Sequence, residues 1–123
     1  MHMKSLLLIF VSVILGVLGQ LSMKQGMLRV GYVSLELTKL SSSFFHIITT
    51  PFVLLGLFLY AVSAMFWLVV LSRVELSYAY PMISIGYMFV ILFSWVLFHE
   101  HISSSRILGA LLICGGVLLL ARS

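Results

Sequence analysis

The residues able to do chemistry in this 123-residue chain are few, and they fall at helical spacings in or beside apolar stretches. Gln20 and Lys24 are four apart and share a helix face at the end of the first stretch. An amide inside hydrocarbon needs a partner, either another helix or a bound molecule. The lysine one turn on could anchor a phosphate at headgroup level or simply snorkel to lipid. Tyr60, Ser63 and Trp67 recur at i, i+3, i+7, and Tyr80, Ser84 and Tyr87 at i, i+4, i+7. Rings and hydroxyls along one face either pack or line a polar groove, where aromatic planes suit a sugar ring or a cation. Arg73 and Glu75 lie just past the second stretch and read by default as a surface pair of little energetic weight. Glu100, between His99 and His101, either stays solvated or faces a cavity. There it could pair with Lys24, Arg106 or a substrate amine, or carry a proton.

Other chemistries are excluded. The chain shows no nucleophile–base pair, so no catalytic residue is assigned and an enzyme is not expected. The pair His99 and His101 has no third ligand at a workable spacing, and the H-E-x-x-H zinc motif is absent, so neither a metal nor another cofactor is expected. A single cysteine, Cys114, rules out an internal disulfide and reads as a small packing residue. The net charge of +4 is spread singly, without a basic stripe interleaved with aromatics, which argues against nucleic acid as a partner. No acid falls inside an apolar span, against the simplest proton-exchange carrier, in which a mid-membrane carboxylate alternates between proton and cation.

These residues need a membrane to position them. Hydrophobic residues make up 63% of the chain and charged ones 8%, with a mean hydropathy of +1.26. A soluble domain of this size cannot hide that much apolar surface in one core. The expectation is one all-α integral membrane domain over residues 1–123, with four transmembrane helices near 5–23, 51–72, 78–98 and 105–121. Strands would leave backbone groups unpaired in lipid. The first stretch lacks a small-x-small cleavage site and reads as a retained helix. The connection 24–50 holds a candidate interfacial helix on the face of Leu28, Tyr32, Leu35 and Lys39, and Phe44 and Phe45 resume membrane contact. Pro51 suits the first turn of the second helix, and Pro81 should loosen the third near Ser77.

In the fourth helix Gly109 and Gly116 lie seven apart, with Cys114 adding little bulk nearby. This is a candidate interface for a dimer. Alternating spans put Lys4, Arg73 and Arg122 on one side and Lys24, Arg29, Lys39 and Arg106 on the other. That balance leaves orientation open, single or dual.

Four helices, the G-x-x-x-x-K pattern closing at Met23-Lys24, the run Val74-Glu75-Leu76-Ser77-Tyr78-Ala79-Tyr80, and G-A-L-L-I-C-G-G-V from Gly109 resemble the small multidrug resistance branch of the drug/metabolite transporter superfamily. The membrane-embedded glutamate of that branch would fall at Gly16. Gly19-Gln20-Leu21 with Lys24-Gln25, Ala79-Tyr80-Pro81-Met82 with Ser84, and His99-Glu100 resemble more closely the aminoarabinose-phosphoundecaprenol flippase subunits. The resemblance implies a bacterial inner-membrane, multi-pass flippase or flippase subunit. Its substrate would be a polyprenyl-phosphate-linked sugar, and its partner either a second copy or a paralogous subunit. Lys24 or Arg73 would meet the phosphate, Trp67, Tyr80, Ser84 and Tyr87 the sugar, and Glu100 an amine, with Gln20 and Tyr60 as further contacts. Two alternatives stay open, a small exporter of cationic or amphipathic compounds and a non-transporting membrane partner.

Overall fold

The computed structural model describes residues 2–123, which form six helices. These are α1 (His2–Val30), α2 (Leu37–Thr49), α3 (Pro51–Leu71), α4 (Leu76–Met82), α5 (Ser84–Phe98) and α6 (Ser104–Ala121). Four segments are long and apolar enough to cross a bilayer: Met3–Val30, Pro51–Leu71, Leu76–Phe98, which joins α4 to α5, and Ser104–Ala121. Only between 11% and 22% of each span is buried within the protein. Such a bundle would be insoluble in water, and lipid must cover the rest. The chain is a multi-pass, all-α membrane protein.

α1 runs well past Met23 because no proline interrupts Lys24 to Val30, and Gly26 within it is packed against Val53 of α3. It ends at Gly31, whose φ of 88° is a left-handed conformation suited to glycine, with its N–H donating to the Met27 carbonyl at 2.9 Å. At 1.5 Å per residue the helix is roughly 43 Å long, more than the hydrocarbon thickness, so its ends reach the headgroup layers. The short helix of the connection is not the one expected around Leu28 to Lys39. Leu28 belongs to α1, Tyr32 and Leu35 lie in the link, and α2 starts only at Leu37. Phe44 and Phe45 project from α2 uncovered by protein. α2 stops at Thr50, held extended (φ −76°, ψ 123°) by the proline that follows, and Pro51 opens α3.

The third span breaks where proline removes a donor, but slightly later than Ser77. Ile83 separates α4 from α5, and the ladder there tightens to three-residue spacing, Ile83 N–H to Tyr80 at 3.1 Å and Gly86 N–H to Ile83 at 2.9 Å. α5 closes on His99 in a left-handed conformation (φ 55°), with the Glu100 N–H returning to the Ser94 carbonyl at 3.2 Å. Ser103 then caps α6, accepting from the Arg106 N–H at 3.2 Å.

α1 is the central helix. It packs along α3 for most of its length and against α5 on another side, whereas α6 packs on α4 and α5. The α1–α3 contact is backbone-close because of three glycines. A Cβ on Gly56 would lie 2.6 Å from the Gly19 carbonyl oxygen and 2.8 Å from the Met23 nitrogen, and one on Gly26 2.7 Å from the Val53 nitrogen. Ser22 Oγ adds a hydrogen bond to the Phe52 carbonyl at 2.7 Å. The buried apolar cluster of Ile9, Val13, Val17, Val70, Ala79, Met82 and Val117 ties all four spans together near the end where α1 begins.

Replacing Gly56 by Val should therefore force α1 and α3 apart and cost about 1–3 kcal/mol. Gly115→Ala, with no heavy atom within 4 Å of an added Cβ, should be neutral or stabilising by up to about 1 kcal/mol. Thermal unfolding of the detergent-purified protein, followed by size-exclusion fluorescence, reads both.

Candidate functional site

Because α3 and α5 pack on α1 from two sides and not closely on each other, a gap is left between them. It forms a cavity of about 500 Å³ to which α6 contributes nothing. α1 is its floor, through Ser12, Val13, Gly16, Val17 and Gln20. Tyr60, Ser63 and Trp67 make the α3 wall, and Tyr80, Ser84, Gly86 and Tyr87 stand opposite. Gly86 lets α5 close on the floor, since a Cβ there would meet Val13 at 2.8 Å. Tyr60, Tyr80 and Tyr87 remain 49%, 64% and 39% exposed, so the gap is open sideways to lipid rather than sealed.

The structure thus gathers Gln20, Tyr60, Trp67, Tyr80, Ser84 and Tyr87 around one space. Ser12 was not a sequence candidate. Ser63 Oγ donates to the Ser12 carbonyl at 2.6 Å, and Ser12 Oγ to the Ser63 carbonyl at 3.0 Å. This reciprocal pair satisfies two hydroxyls that hydrocarbon would otherwise strand, and pins the floor to one wall. The signal was present in the spacing: Ser12, Gly16 and Gly19 lie on one stripe of α1, where small residues admit a neighbouring helix.

Lys24 and Glu100 do not line the cavity; they stand beyond its end. Lys24 follows Gln20 by one turn, and the left-handed His99 swings Glu100 back toward α1. Lys24 Nζ lies 3.9 Å from Glu100 Oε2, with the side chains 51% and 37% exposed. Of the partners open to Glu100, the lysine is the one it meets. Arg106 instead donates to the His101 carbonyl at 3.3 Å, and Arg29 lies over the Phe52 ring, 4.5 Å from its centre. An exposed ion pair at this distance is weak, so both groups can exchange partners.

Arg73 is elsewhere. It lies at the opposite end of the bundle, after α3, and cannot serve one phosphate together with Lys24. It is not in an ion pair with Glu75, contrary to the default reading of those two residues. On α6, Ala110 and Val117 are the buried face, while Gly109 and Gly116 have nothing within 4 Å of an added Cβ and Cys114 is half-buried. Gly109 and Gly116 are therefore open in the single chain, and Cys114 is covered in part.

Comparison with known proteins bears on the family of the chain. The EamA-like transporter family matches residues 3–122. The chain is 43% identical over 68 residues to a probable 4-amino-4-deoxy-L-arabinose-phosphoundecaprenol flippase subunit ArnE of Pseudomonas fluorescens, covering 55% of this chain and 60% of that protein. It is 36% identical over 74 residues to the corresponding ArnE of Pseudomonas aeruginosa, covering 60% and 64% of the two chains. The probable flippase subunit ArnF of Proteus mirabilis is 38% identical over 79 residues, covering 63% and 59%. The matches thus span about six-tenths of the length of these relatives. No solved structure matches.

Substitutions separate the structural pair from the exchangeable one. Ser12→Ala and Ser63→Ala should each cost about 0.5–1.5 kcal/mol, since each removes a donor to the other residue's backbone carbonyl. A double-mutant cycle of Lys24→Gln with Glu100→Gln should give a coupling of less than about 1 kcal/mol, diminishing with added salt. Unfolding free energies in mild detergent measure both.

Proposed function

We propose that this chain, which belongs to the EamA-like transporter family, is a subunit of a flippase carrying a polyprenyl-phosphate-linked amino sugar across the bacterial inner membrane. The observation that carries the reading is the laterally open gap between α3 and α5 with the Lys24–Glu100 pair one turn beyond it. A lipid-linked sugar needs three environments at once, and this geometry supplies each. Its prenyl tail can stay in the bilayer and leave through the open side. Its sugar meets Gln20, Tyr60, Tyr80, Ser84 and Tyr87, whose amide and hydroxyls replace water, with Trp67 as a flat apolar surface. Its phosphodiester takes Lys24 from Glu100, and the released carboxylate accepts an ammonium on the sugar.

That exchange conserves charge. One weak ion pair is replaced by two, so neither Lys24 nor Glu100 is left unpaired when the headgroup enters. The same geometry weighs against a multidrug exporter, because Gly16 sits on the cavity floor where that branch carries its carboxylate. An unpartnered charge at that depth would be expensive, and the headgroup's own charges meet their partners at the cavity's end instead.

The relatives bear the names of two different subunits, ArnE and ArnF, which supports pairing of this chain with a paralogous subunit in preference to a second copy. The open glycines Gly109 and Gly116 of α6, with the half-buried Cys114 beside them, are the proposed seam, since α6 takes no part in lining the cavity.

The test is native mass spectrometry of the purified protein with defined lipids. Undecaprenyl-phospho-aminoarabinose should be retained over phosphatidylglycerol, and Lys24→Ala or Glu100→Ala should weaken retention by about three- to tenfold. Equal retention of both lipids, unchanged in the two variants, would sink the assignment.

A further inference from the structure

A second cavity, of about 620 Å³, opens at the other end of the bundle around the turn from α3 to α4. Arg73, Glu75, Ser77 and Tyr78 line it, with Ser5 of α1 across from them. We infer that this cavity is a second headgroup site, for a lipid phosphate that also bears an amine.

Three observations carry this. The first is charge. Arg73 and Glu75 are two residues apart on the cavity's rim, and among the described residues neither is in an ion pair. A guanidinium and a carboxylate on one cavity rim, both exposed and not paired with each other, complement a ligand with an anionic and a cationic end. The guanidinium can grip phosphate with two donors, the carboxylate can take an ammonium, and the Ser77 and Tyr78 hydroxyls can meet ester or glycosidic oxygens. Glu75 also makes the site selective. A lipid that is only anionic gains from Arg73 but is opposed by the carboxylate next to it.

The second observation is depth. α3 ends at Leu71 and α4 begins at Leu76, so the charged rim lies at the ends of two spans, where headgroups reside.

The third is separation from the central gap. The apolar cluster of Ile9, Val70, Ala79, Met82 and Val117 lies between the two spaces. Trp67 and Val90, which line the central cavity, pack against this cluster, and so do Val74 and Tyr78, which line the second one. A charged headgroup does not pass such a plug unaided, so the second cavity is a site of its own and not a continuation of the first. The two ends of the bundle then carry like equipment, a cation and a carboxylate beside hydroxyls: Lys24 and Glu100 at one membrane face, Arg73 and Glu75 at the other. The role of the second site in transport, receiving at one face what the other takes up, rests on the proposed function; its ligand chemistry does not.

The experiment therefore uses lipids that test the headgroup chemistry apart from the flippase. Native mass spectrometry on the purified chain compares retention of phosphatidylethanolamine and phosphatidylglycerol in wild type, in Lys24→Gln/Glu100→Gln, which removes the first charge pair, and in that variant with Arg73→Gln/Glu75→Gln added, with thermal unfolding confirming that each variant is folded. The amine-bearing lipid should be retained about three- to fivefold better by wild type and by Lys24→Gln/Glu100→Gln, and equally with phosphatidylglycerol once Arg73→Gln/Glu75→Gln is added. Free phosphoethanolamine in excess distinguishes a site that needs only the headgroup, where it displaces the lipid, from one that also needs the acyl chains, where it does not. No preference in Lys24→Gln/Glu100→Gln, or a preference untouched when Arg73→Gln/Glu75→Gln is added to it, overturns the site. Preference at this site alongside failure to retain undecaprenyl-phospho-aminoarabinose would keep it and remove the flippase reading, and the converse result would do the reverse.

Discussion

The contact on which this structure depends is the close approach of α1 and α3 at Gly19 and Gly56. Lipid tails are as apolar as leucine, so burial gives helices in a bilayer little reason to associate. What remains is dispersion between closely approaching backbones and hydrogen bonds with no water to compete. The glycines supply the first, and the reciprocal serines at 12 and 63, with Ser22 on the Phe52 carbonyl, supply the second. Once α3 is held so tightly to one side of α1, α5 must take another, and the space between them cannot close. The cavity is a consequence of that seam.

Polar groups are distributed as a low dielectric requires. No charge stands along the cavity; its polarity comes from an amide, hydroxyls and rings, which cost less to keep there than an ion. The charges gather at the two ends, where lipid headgroups and water reduce their cost. At one end a lysine and a glutamate are loosely paired, and at the other an arginine and a glutamate are not paired with each other. Between them lies an apolar plug that includes Val70, the most completely buried large side chain of the core. For a charged headgroup to move from one end to the other, that plug must part, and its members come from all four spans.

Much of the site was legible because helical periodicity is a local property. Gln20, Tyr60, Trp67, Tyr80, Ser84 and Tyr87 could be placed on particular faces by counting along the chain, and those faces converge on one cavity. What counting could not supply was which charges meet. Alternation of the spans already put Lys24 and Arg73 on opposite sides, but only the structure brings Lys24 to Glu100 and leaves Arg73 and Glu75 unpaired with each other. Ser12 escaped notice because one serine in an apolar run looks unremarkable until its partner 51 residues away is known. The interfacial helix begins later than the apolar spacing at Leu28, Tyr32 and Leu35 implies, because that spacing says nothing about where Gly31 ends α1.

The sequence by itself determined the solvent, the class and the punctuation of this protein. Its apolar content demands a bilayer, a bilayer admits helices, and Pro51 and Pro81 start and break them through backbone geometry that each residue carries locally. Only the tertiary structure decided which glycines are seams, which hydroxyls are already satisfied and which charges meet. Gly19 and Gly56 touch while Gly109 and Gly116 do not, although all four are glycines in apolar helices. The reason is physical: in lipid, burying an apolar face favours no one neighbour, so the pairing of helices is settled by complementary small surfaces and hydrogen bonds between distant segments, which exist only once the helices have met.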